Sequence, residues 1–397
     1  MTEPTSGYDS VTFTMRRQWL AQLADWAVAG VPSGTPTLPV NGCFRVDVEA
    51  ERITVAATDQ QLSVFATTQA VETKTPGVVF LPAKRLRELL AAAPDGDVTV
   101  AVKGMAARVT AGSASWSLRL FPAGGYLGLP DLSGAEFAEV GREPLLQALQ
   151  AVRHAVGRDL GRPSYTQVRI AQAGGCMAVM ASDSSQFARA RLPGFPFPLS
   201  IPLVVLDDLT KLLAKGQDDL VGVAETDSLA VFRVGYVTLA AARSGSEFPD
   251  PALLLPPATP ESDRRLVVDR AELLGALRRA RVNADARTSA VALIASGEGG
   301  RPTLTVMAKD KDGNSAQDTI AASDWSQPSP DGREPVAGDQ QAVVNAVFLE
   351  AMLAAHRSAA CEFRLGRDRG AIRFPVLLED AAVGIVSTCT QMTQVGY

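Results

Sequence analysis

The 397-residue sequence lacks the features of several common classes of protein. It has no apolar run of about 18 residues, which a membrane-spanning helix needs, and its first residues lack a basic segment followed by an apolar one. It has no P-loop and no HExxH, GxSxG or GxGxxG motif. Its four cysteines are scattered without a CxxC pair, which favours reduced, buried thiols. We therefore expect a soluble cytoplasmic protein, and nothing here indicates an enzyme, a metal site or a cofactor.

Histidine is also scarce, and its two occurrences do not point to catalysis. His154 and His356 both come late in predicted helices. Cationic side chains are favoured near helix C-termini, so we expect for both histidines either a surface position or an interaction with the C-terminal end of a helix dipole. Neither is expected to act as an acid or a base.

A short hairpin with an aspartate at its corner occurs three times. The aspartates are Asp59, Asp183 and Asp310, which lie 124 and 127 residues apart. In each copy a β-favouring run precedes the aspartate, whose carboxylate can accept hydrogen bonds from backbone N–H groups two residues on. Three such corners at nearly constant spacing predict a triplicated unit. The predicted domains are 1–133, 134–258 and 259–397.

Each third of the chain also carries two amphipathic helical segments among short alternating strands. The predicted helices are 16–29, 83–93, 142–158, 202–215, 269–282 and 344–357. Turn-rich segments at 129–137 and 253–263 separate the thirds, and a Pro, Gly and Ser-rich stretch at 323–341 is predicted to be an exposed loop. The predicted fold class is α+β, with two helices on antiparallel sheets in each of three repeats.

Positive charge is concentrated in the predicted helices. The whole chain carries −5, yet the six helical segments together carry +7 and the remainder −12. Such sorting favours contact between the helices and the phosphate backbone of a DNA duplex, although ordinary solvated helix faces explain the same charges. The candidate DNA-binding residues are Arg16, Arg17, Lys84, Arg85, Arg87, Arg153, Arg158, Lys211, Lys215, Arg278, Arg279, Arg281 and Arg357.

Several ordered segments resemble those of the bacterial DNA polymerase III beta subunit, the replicative sliding clamp. The first third is most similar, through GTPTLPVNGCFRVDVEAERITVAATDQQLSVFATT and GVVFLPAKRLRELLAAAPDGDVTV. In the middle third, MASDSSQFARARLP and SGSEFPDPALLLP are similar to the family's ATDGHRLA-type and FPDY-type segments. The similarity follows the order of the family over nearly the whole chain.

The resemblance implies three clamp domains in each protomer and a head-to-tail homodimer closed into a ring. It further implies sequence-independent binding of double-stranded DNA inside the ring, and docking of DNA polymerase and the clamp loader through a short peptide. By position, that peptide pocket would be formed by Thr166, Ser182, Ser184, Phe187, Pro249, Leu253, Leu254, Val386 and Ser387. The implied function is that of a processivity factor, without catalysis, membrane association or a cofactor.

The sequence departs from the family pattern at the pocket and at the end of the chain. Where the family has Gly-His-Arg-Leu this chain has residues 184–187, Ser-Ser-Gln-Phe, and its last residues form a longer polar tail. An alternative is therefore an interaction protein or paralogue with the clamp fold and altered partner recognition. A third hypothesis, an enzyme using the adjacent pairs Asp207–Asp208 and Asp218–Asp219, is weak because adjacent residues do not share a helix face.

Overall fold

The computed structural model describes residues 8–173, 175–243, 245–254, 264–297, 301–326, 340–365, 376–380 and 384–389. The chain forms two compact units, which we call unit 1 and unit 2. Unit 1 consists of Met1–Glu143 and Val204–Arg243, and unit 2 of Pro144–Leu203 and Ser244–Tyr397. The middle third of the chain is thus shared between the two units.

Unit 1 contains a five-stranded and an eight-stranded antiparallel sheet. The five-stranded sheet has the order β5 (Glu72–Thr75), β1 (Tyr8–Arg16), β7 (Asp97–Gly104), β8 (Ala106–Ala111), β9 (Ala114–Arg119). The eight-stranded sheet has the order β10 (Ala138–Gly141), β15 (Leu220–Glu225), β16 (Leu229–Val234), β17 (Val237–Ala242), β4 (Leu62–Thr68), β3 (Ile53–Thr58), β2 (Cys43–Val48), β6 (Gly77–Pro82). The pairing of β17 with β4 joins strands of the first and middle thirds into one sheet.

Unit 2 is organised around a twelve-stranded antiparallel sheet. Its order is β14 (Leu199–Pro202), β11 (Gln167–Ala173), β12 (Cys176–Ser182), β13 (Gln186–Arg191), β25 (Ile385–Cys389), β24 (Val376–Asp380), β23 (Ala360–Leu365), β18 (Arg264–Asp269), β21 (Ser315–Ser326), β20 (Thr303–Lys309), β19 (Ala290–Ser296), β22 (Gln340–Asn345). The pairing of β13 with β25 joins the middle and last thirds. The sheets contain strands from both sides of the predicted domain boundaries at 133/134 and 258/259. The division into three domains at these boundaries therefore stays a prediction, which concerns the sequence repeat.

The six predicted helices are confirmed. They are α1 (Arg17–Ala27), α2 (Ala83–Ala92), α3 (Arg142–Val152), α4 (Leu203–Lys215), α6 (Arg270–Arg281) and α7 (Ala346–Ala355). A four-residue helix that the sequence did not predict, α5 (Pro251–Leu254), precedes the last third. The third predicted helix ends earlier than expected, at Val152, and continues only as a 3₁₀ turn over Arg153–Ala155.

The three predicted hairpin corners are confirmed, and their aspartates have the expected role. The Asp59 carboxylate accepts hydrogen bonds from the backbone N–H groups of Gln61 and Leu62 at 2.9 and 2.7 Å. Asp183 accepts in the same way from Ser185 and Gln186, both at 2.7 Å. The third corner is one residue longer, because the Asp310 carboxylate accepts from the N–H groups of Asp312 and Asn314 at 2.9 and 2.8 Å. The side-chain amide of Asn314 also donates to Asp310 and is the main cause that lowers the pKa of this carboxyl.

Other local expectations have mixed outcomes. The segment 129–137 is irregular, as predicted, whereas most of 253–263 and of 323–341 and the tail after residue 389 lie outside the described residues. Residues 323–326 belong to β21 and are not part of a loop. Three of the four cysteines are buried, Cys176 is half-buried, and none forms a disulfide within the described residues. Burial raises the pKa of the Cys43 and Cys389 thiols to about 12. No helix in the described ranges is long and apolar enough to cross a bilayer.

Candidate nucleic-acid interface and partner pocket

The predicted cations of unit 1 are mostly held by carboxylates of the same unit. Arg16 at the end of β1 lies 3.3 Å from Asp97, and Arg17 at the start of α1 pairs with Asp95 and donates to the Leu90 carbonyl. These contacts belong to exposed or half-exposed side chains, so each contributes at most about 1 kcal/mol to stability. They orient the two arginines along the N-terminal end of α1.

Helix α2 shows the same arrangement. Arg87 reaches α1 and lies 2.9 Å from Asp25, while Arg85 pairs with Glu88 within the helix at 2.9 Å. On α4, Lys211 pairs with Asp208 at 3.2 Å. In each pair the carboxylate lies next to the cation. The helix therefore presents less net positive charge to an approaching anion at that position.

Unit 2 repeats this pattern on α6. Arg279 pairs with Asp318 of β21 at 2.5 Å, and Arg281 lies 3.3 Å from Glu350 of α7. Arg357 donates to the side-chain carbonyl of Gln150 at 3.2 Å. The arginines therefore also tie α6 and α7 to their neighbours.

Three predicted cations are exposed and have no hydrogen-bond, ion-pair or aromatic-ring partner in the part of the chain that the structure describes, whereas the exposed Lys215 lies over the Trp26 ring. They are Lys84 on α2, Arg158 after the 3₁₀ turn that follows α3, and Arg278 on α6. Each third of the chain contributes one of them. Charge counting along the sequence could not identify this subset, because the pairing depends on carboxylates such as Asp97 and Asp318 that are distant in sequence or on other elements.

The predicted pocket residues lie on several elements of unit 2, and five of the nine lie on the strands β12, β13 and β25 or at the corner between the first two. The corner between β12 and β13 carries Ser182, Ser184 and Phe187, and the pairing of β13 with β25 places Ala188 opposite Ser387 and Arg189 opposite Val386. The two halves of the predicted pocket are thus neighbours in one sheet, although they are about 200 residues apart in sequence.

Several of these residues are buried and have internal partners. Phe187 is 1% exposed, and Ser182 and Ser387 are fully buried. The Ser182 hydroxyl donates to the Gln186 carbonyl at 2.7 Å and accepts from the Ser184 N–H at 3.1 Å. Ser184 has a positive φ of 79°, so these bonds stabilise a left-handed turn conformation that side chains other than Asn, Asp and Gly rarely adopt.

The accessible part of the pocket region comes from its other residues. Leu253 on α5 is 83% exposed, Pro249 and Leu254 are half-buried, and the Thr166 hydroxyl donates to the Pro163 carbonyl at 3.1 Å. The segment before α5 is attached to β11 because the Gln167 side-chain amide donates to the Ser246 carbonyl at 2.9 Å. A ligand here would meet Leu253 directly.

One residue that the sequence reasoning missed borders the same corner. Arg162 donates to the Ser184 hydroxyl at 2.9 Å, and its guanidinium lies over the Tyr165 ring, 4.6 Å from the centroid. Arginine held in this way presents its remaining N–H donors in a fixed direction. The only sequence signal for the position of Arg162 was the short polar stretch that contains Arg162 and Tyr165.

Of the two roles expected for the histidines, a surface position is wrong for His356, which instead directly follows the C-terminal end of α7. It is 1% exposed, and its Nε2 lies 3.3 Å from the Ser387 hydroxyl. The ring nitrogens of His154 are enclosed as well, and burial, with the nearby His356, lowers the pKa of His154 to about 4. Helix α7 and the 3₁₀ turn after α3 pack together, which brings both rings into the interior of unit 2. The described residues contain no cluster of three His, Cys, Asp or Glu side chains suited to hold a metal ion.

The chain is similar in sequence to known proteins of one family. Residues 11–130 match the family model for the DNA polymerase III beta subunit, N-terminal domain. Curated relatives include the beta sliding clamp of Synechococcus elongatus, 28% identical over 74% of this chain and 79% of that protein, and that of Micrococcus luteus, 26% identical over 78% of this chain and 98% of that protein.

Solved structures share the fold over nearly the entire chain. The C. crescentus beta sliding clamp superimposes with a TM-score of 0.84 at 20% identity, covering 98% of this chain and all of the other. The sliding clamp of Bacillus subtilis gives 0.85 at 18% identity, over 97% of this chain and all of the other. At these identities the structural likeness establishes the architecture, and the curated relatives supply the link in sequence.

Proposed function

We propose that the chain is a divergent member of the DNA polymerase III beta subunit family and that it acts as a DNA sliding clamp. The observation that carries the proposal is the similarity to beta sliding clamps over about three quarters of the chain, together with a shared fold over 98% of it. The alternative, an interaction protein that has lost partner recognition, is not favoured by these relatives.

We further propose that two copies close head to tail into a ring that holds a DNA duplex without reading its sequence. A closed ring is retained by topology, so its contacts with phosphates need not be strong. This suits helices on which at least seven of the thirteen candidate cations, counted over the described residues, are paired with carboxylates. Lys84, Arg158 and Arg278 are the cations that we assign to direct phosphate contact, because neutralised cations release fewer counterions.

The pocket around the corner of β12 and β13 is assigned to a short peptide of the replicative polymerase or of the clamp loader. The neighbouring positions of Phe187 and Ser387 in one sheet support this assignment, as does the exposure of Leu253. An apolar anchor of the peptide would bury Leu253 and pack above Phe187. No residue is assigned a catalytic role, and we place the protein in the cytoplasm, where it would meet the chromosome.

Solution mass and retention on DNA test the proposal together. The 41.8 kDa chain should give twice that mass by light scattering. With a matching loader, the dimer should remain on nicked circular DNA through gel filtration and should be lost once the circle is linearised. A stable monomer that is never retained on the circle would contradict the clamp function.

A pair of charge reversals tests the assignment of the phosphate-contacting cations. Arg278→Glu should weaken binding of a 30-base-pair duplex by the unassisted protein and lower the salt dependence of log K by about one unit. Arg108→Glu is the matched control, since Arg108 is an exposed cation on β8 and not on a helix. Equal effects of the two variants would mean that the helices are not the DNA-binding surface.

A further inference from the structure

Unit 1 contains an open cleft to which the proposed clamp function assigns no role. Its volume is about 590 Å³, and it lies between α1, the end of α4 and the β16–β17 hairpin. The side chains that give it its chemistry are Trp19, Gln22, Trp26, Lys215, Gln217 and Tyr236. We call these six residues the aromatic cleft.

The aromatic residues of the cleft are not needed for the hydrophobic core. On α1, Leu20, Leu23, Ala24 and Ala27 form the buried face, while Trp19 and Trp26 lie seven residues apart and flank that face. Trp19 is 39% exposed and Tyr236, at the tip of its hairpin, is 42% exposed. Aromatic residues are only 6% of this chain, and two of its four tryptophans line this cleft. Exposed aromatic side chains gathered in one concave site indicate a ligand rather than packing.

The charged and amide groups of the cleft are one cation, one carboxylate (Asp218) and two amides. Lys215 ends α4, and its ammonium lies over the Trp26 ring, 5.2 Å from the centroid. Gln22 and Gln217 are exposed and bring amide groups that both donate and accept hydrogen bonds. The residue after Lys215 is Gly216, and a Cβ there would lie 3.0 Å from side-chain atoms of Arg142 and of Val234, so the end of α4 packs closely on its neighbours.

We propose that the aromatic cleft binds an unpaired nucleotide of single-stranded DNA. Flat indole and phenol rings stack on any nucleobase, amides match the hydrogen-bonding groups of base edges, and a lysine ammonium contacts the adjoining phosphate. The cleft does not suit a peptide that adds a strand, since β16 and β17 are interior strands paired on both sides. Stacking therefore provides the affinity, and Trp19 and Tyr236 are the exposed rings that provide it.

The charge of the cleft sets a quantitative limit on this binding. Lys215 is its one cation within the described lining, and the Asp218 carboxylate lies on the same wall. Binding should consequently involve about one phosphate and depend weakly on salt, with a slope near −0.7 in log K against log salt concentration. Binding of duplex by the helix cations would depend more steeply on salt, so the two modes are separable in one titration series.

The experiment measures the anisotropy of fluorescein-labelled dT10 and of a ten-base-pair hairpin with the full chain. We expect dT10 to bind the unassisted protein with the shallow salt slope. Trp19→Ala should weaken this binding about 5- to 150-fold, as expected for the loss of one stacked base, and Tyr236→Ala should act in the same direction. Trp116→Ala is the matched control, because Trp116 is a half-buried tryptophan on β9 outside the cleft.

A second variant separates stacking from charge. Lys215→Gln should remove most of the salt dependence of dT10 binding while leaving the stacking contribution, and a thermal melt checks that each variant is folded. Equal binding of dT10 by the wild type and the Trp19→Ala variant would overturn the assignment. So would binding of a proline-rich decapeptide that depends on Trp19 in the absence of any binding of dT10, which would identify a protein partner instead.

This site is independent of ring closure. Retention on nicked circular DNA should be the same for the Trp19→Ala variant and the wild type, so a failure of the cleft assignment leaves the clamp function standing. Conversely, a monomer that binds dT10 through Trp19 would retain the cleft assignment and contradict the clamp.

Discussion

The two candidate ligand sites of this protein are built in opposite ways. The pocket region of unit 2 is a buried frame, in which Ser182, Phe187 and Ser387 are at most 1% exposed, with one exposed leucine beside it. The aromatic cleft of unit 1 has exposed rings over a separate core. In the first site most residues hold the backbone in place, whereas in the second the side chains themselves are available for contact. A substitution at the pocket therefore reports mainly on folding, and one at the cleft reports mainly on binding.

The largest expected effect is that of Phe187→Asp. Removing a buried phenylalanine costs about 3–5 kcal/mol, and burying an unpaired carboxylate adds to this, so unit 2 should lose its cooperative unfolding transition. Trp19→Asp, at an exposed position of unit 1, should change the free energy of unfolding by about 1 kcal/mol or less. Urea unfolding followed by circular dichroism distinguishes them. An unchanged midpoint for Phe187→Asp would mean that the pocket wall is not part of the core.

The second prediction uses the fact that both histidines are in unit 2. The pKa of His154 is lowered to about 4 by burial, and by His356 nearby, so the unfolded chain binds a proton more readily than the folded one. The stability that neutral His154 provides is complete above pH 6.5 and is lost as the pH falls toward 4, by about 3 kcal/mol in all.

The variant His154→Gln checks this sign. Its free energy of unfolding should fall less than that of the wild type between pH 7 and pH 4, as measured by urea titration at several pH values. All other titratable groups are common to the two proteins, so their contributions cancel in the difference. Parallel pH profiles of the two proteins would show that His154 is accessible to protons in the folded state.

The contrast between the two sites also explains what could be predicted from the sequence. The corners at Asp59, Asp183 and Asp310 depend on hydrogen bonds within four residues, so local pattern was sufficient. The helices followed from the periodicity of their apolar residues. The resemblance to a family placed Phe187 and Ser387 in one region, and the sheet brings these two residues together.

The remaining features depend on contacts between distant segments. The pairing of β17 with β4 and of β13 with β25 joins different thirds of the chain, and no local pattern encodes it. The spacing of Trp19 and Trp26 was visible along α1, but Tyr236 is more than 200 residues away and reaches the same cleft only through the sheet. The burial of His356 was missed for the same reason, because α7 packs on elements that lie far from it in sequence.

The smallest change in stability is expected for a substitution at Leu253, and it tests whether this residue contacts a ligand or only belongs to the structural frame of the pocket. Leu253 is 83% exposed, so Leu253→Ser should alter the free energy of unfolding by about 0.5 kcal/mol or less. If the clamp-binding segment of a bacterial replicative polymerase packs on this leucine, burial of the side chain contributes about 1.5–3 kcal/mol, and the variant should bind a synthetic peptide of that segment more than tenfold more weakly. Isothermal titration calorimetry measures the loss. Val282→Ser is the control, because Val282 is 81% exposed in the same unit but lies at the end of α6. Equal peptide affinities for the two variants would mean that Leu253 is not part of the binding surface and that the pocket region of unit 2 is a structural frame. Partners would then be expected to bind the exposed side chains of unit 1.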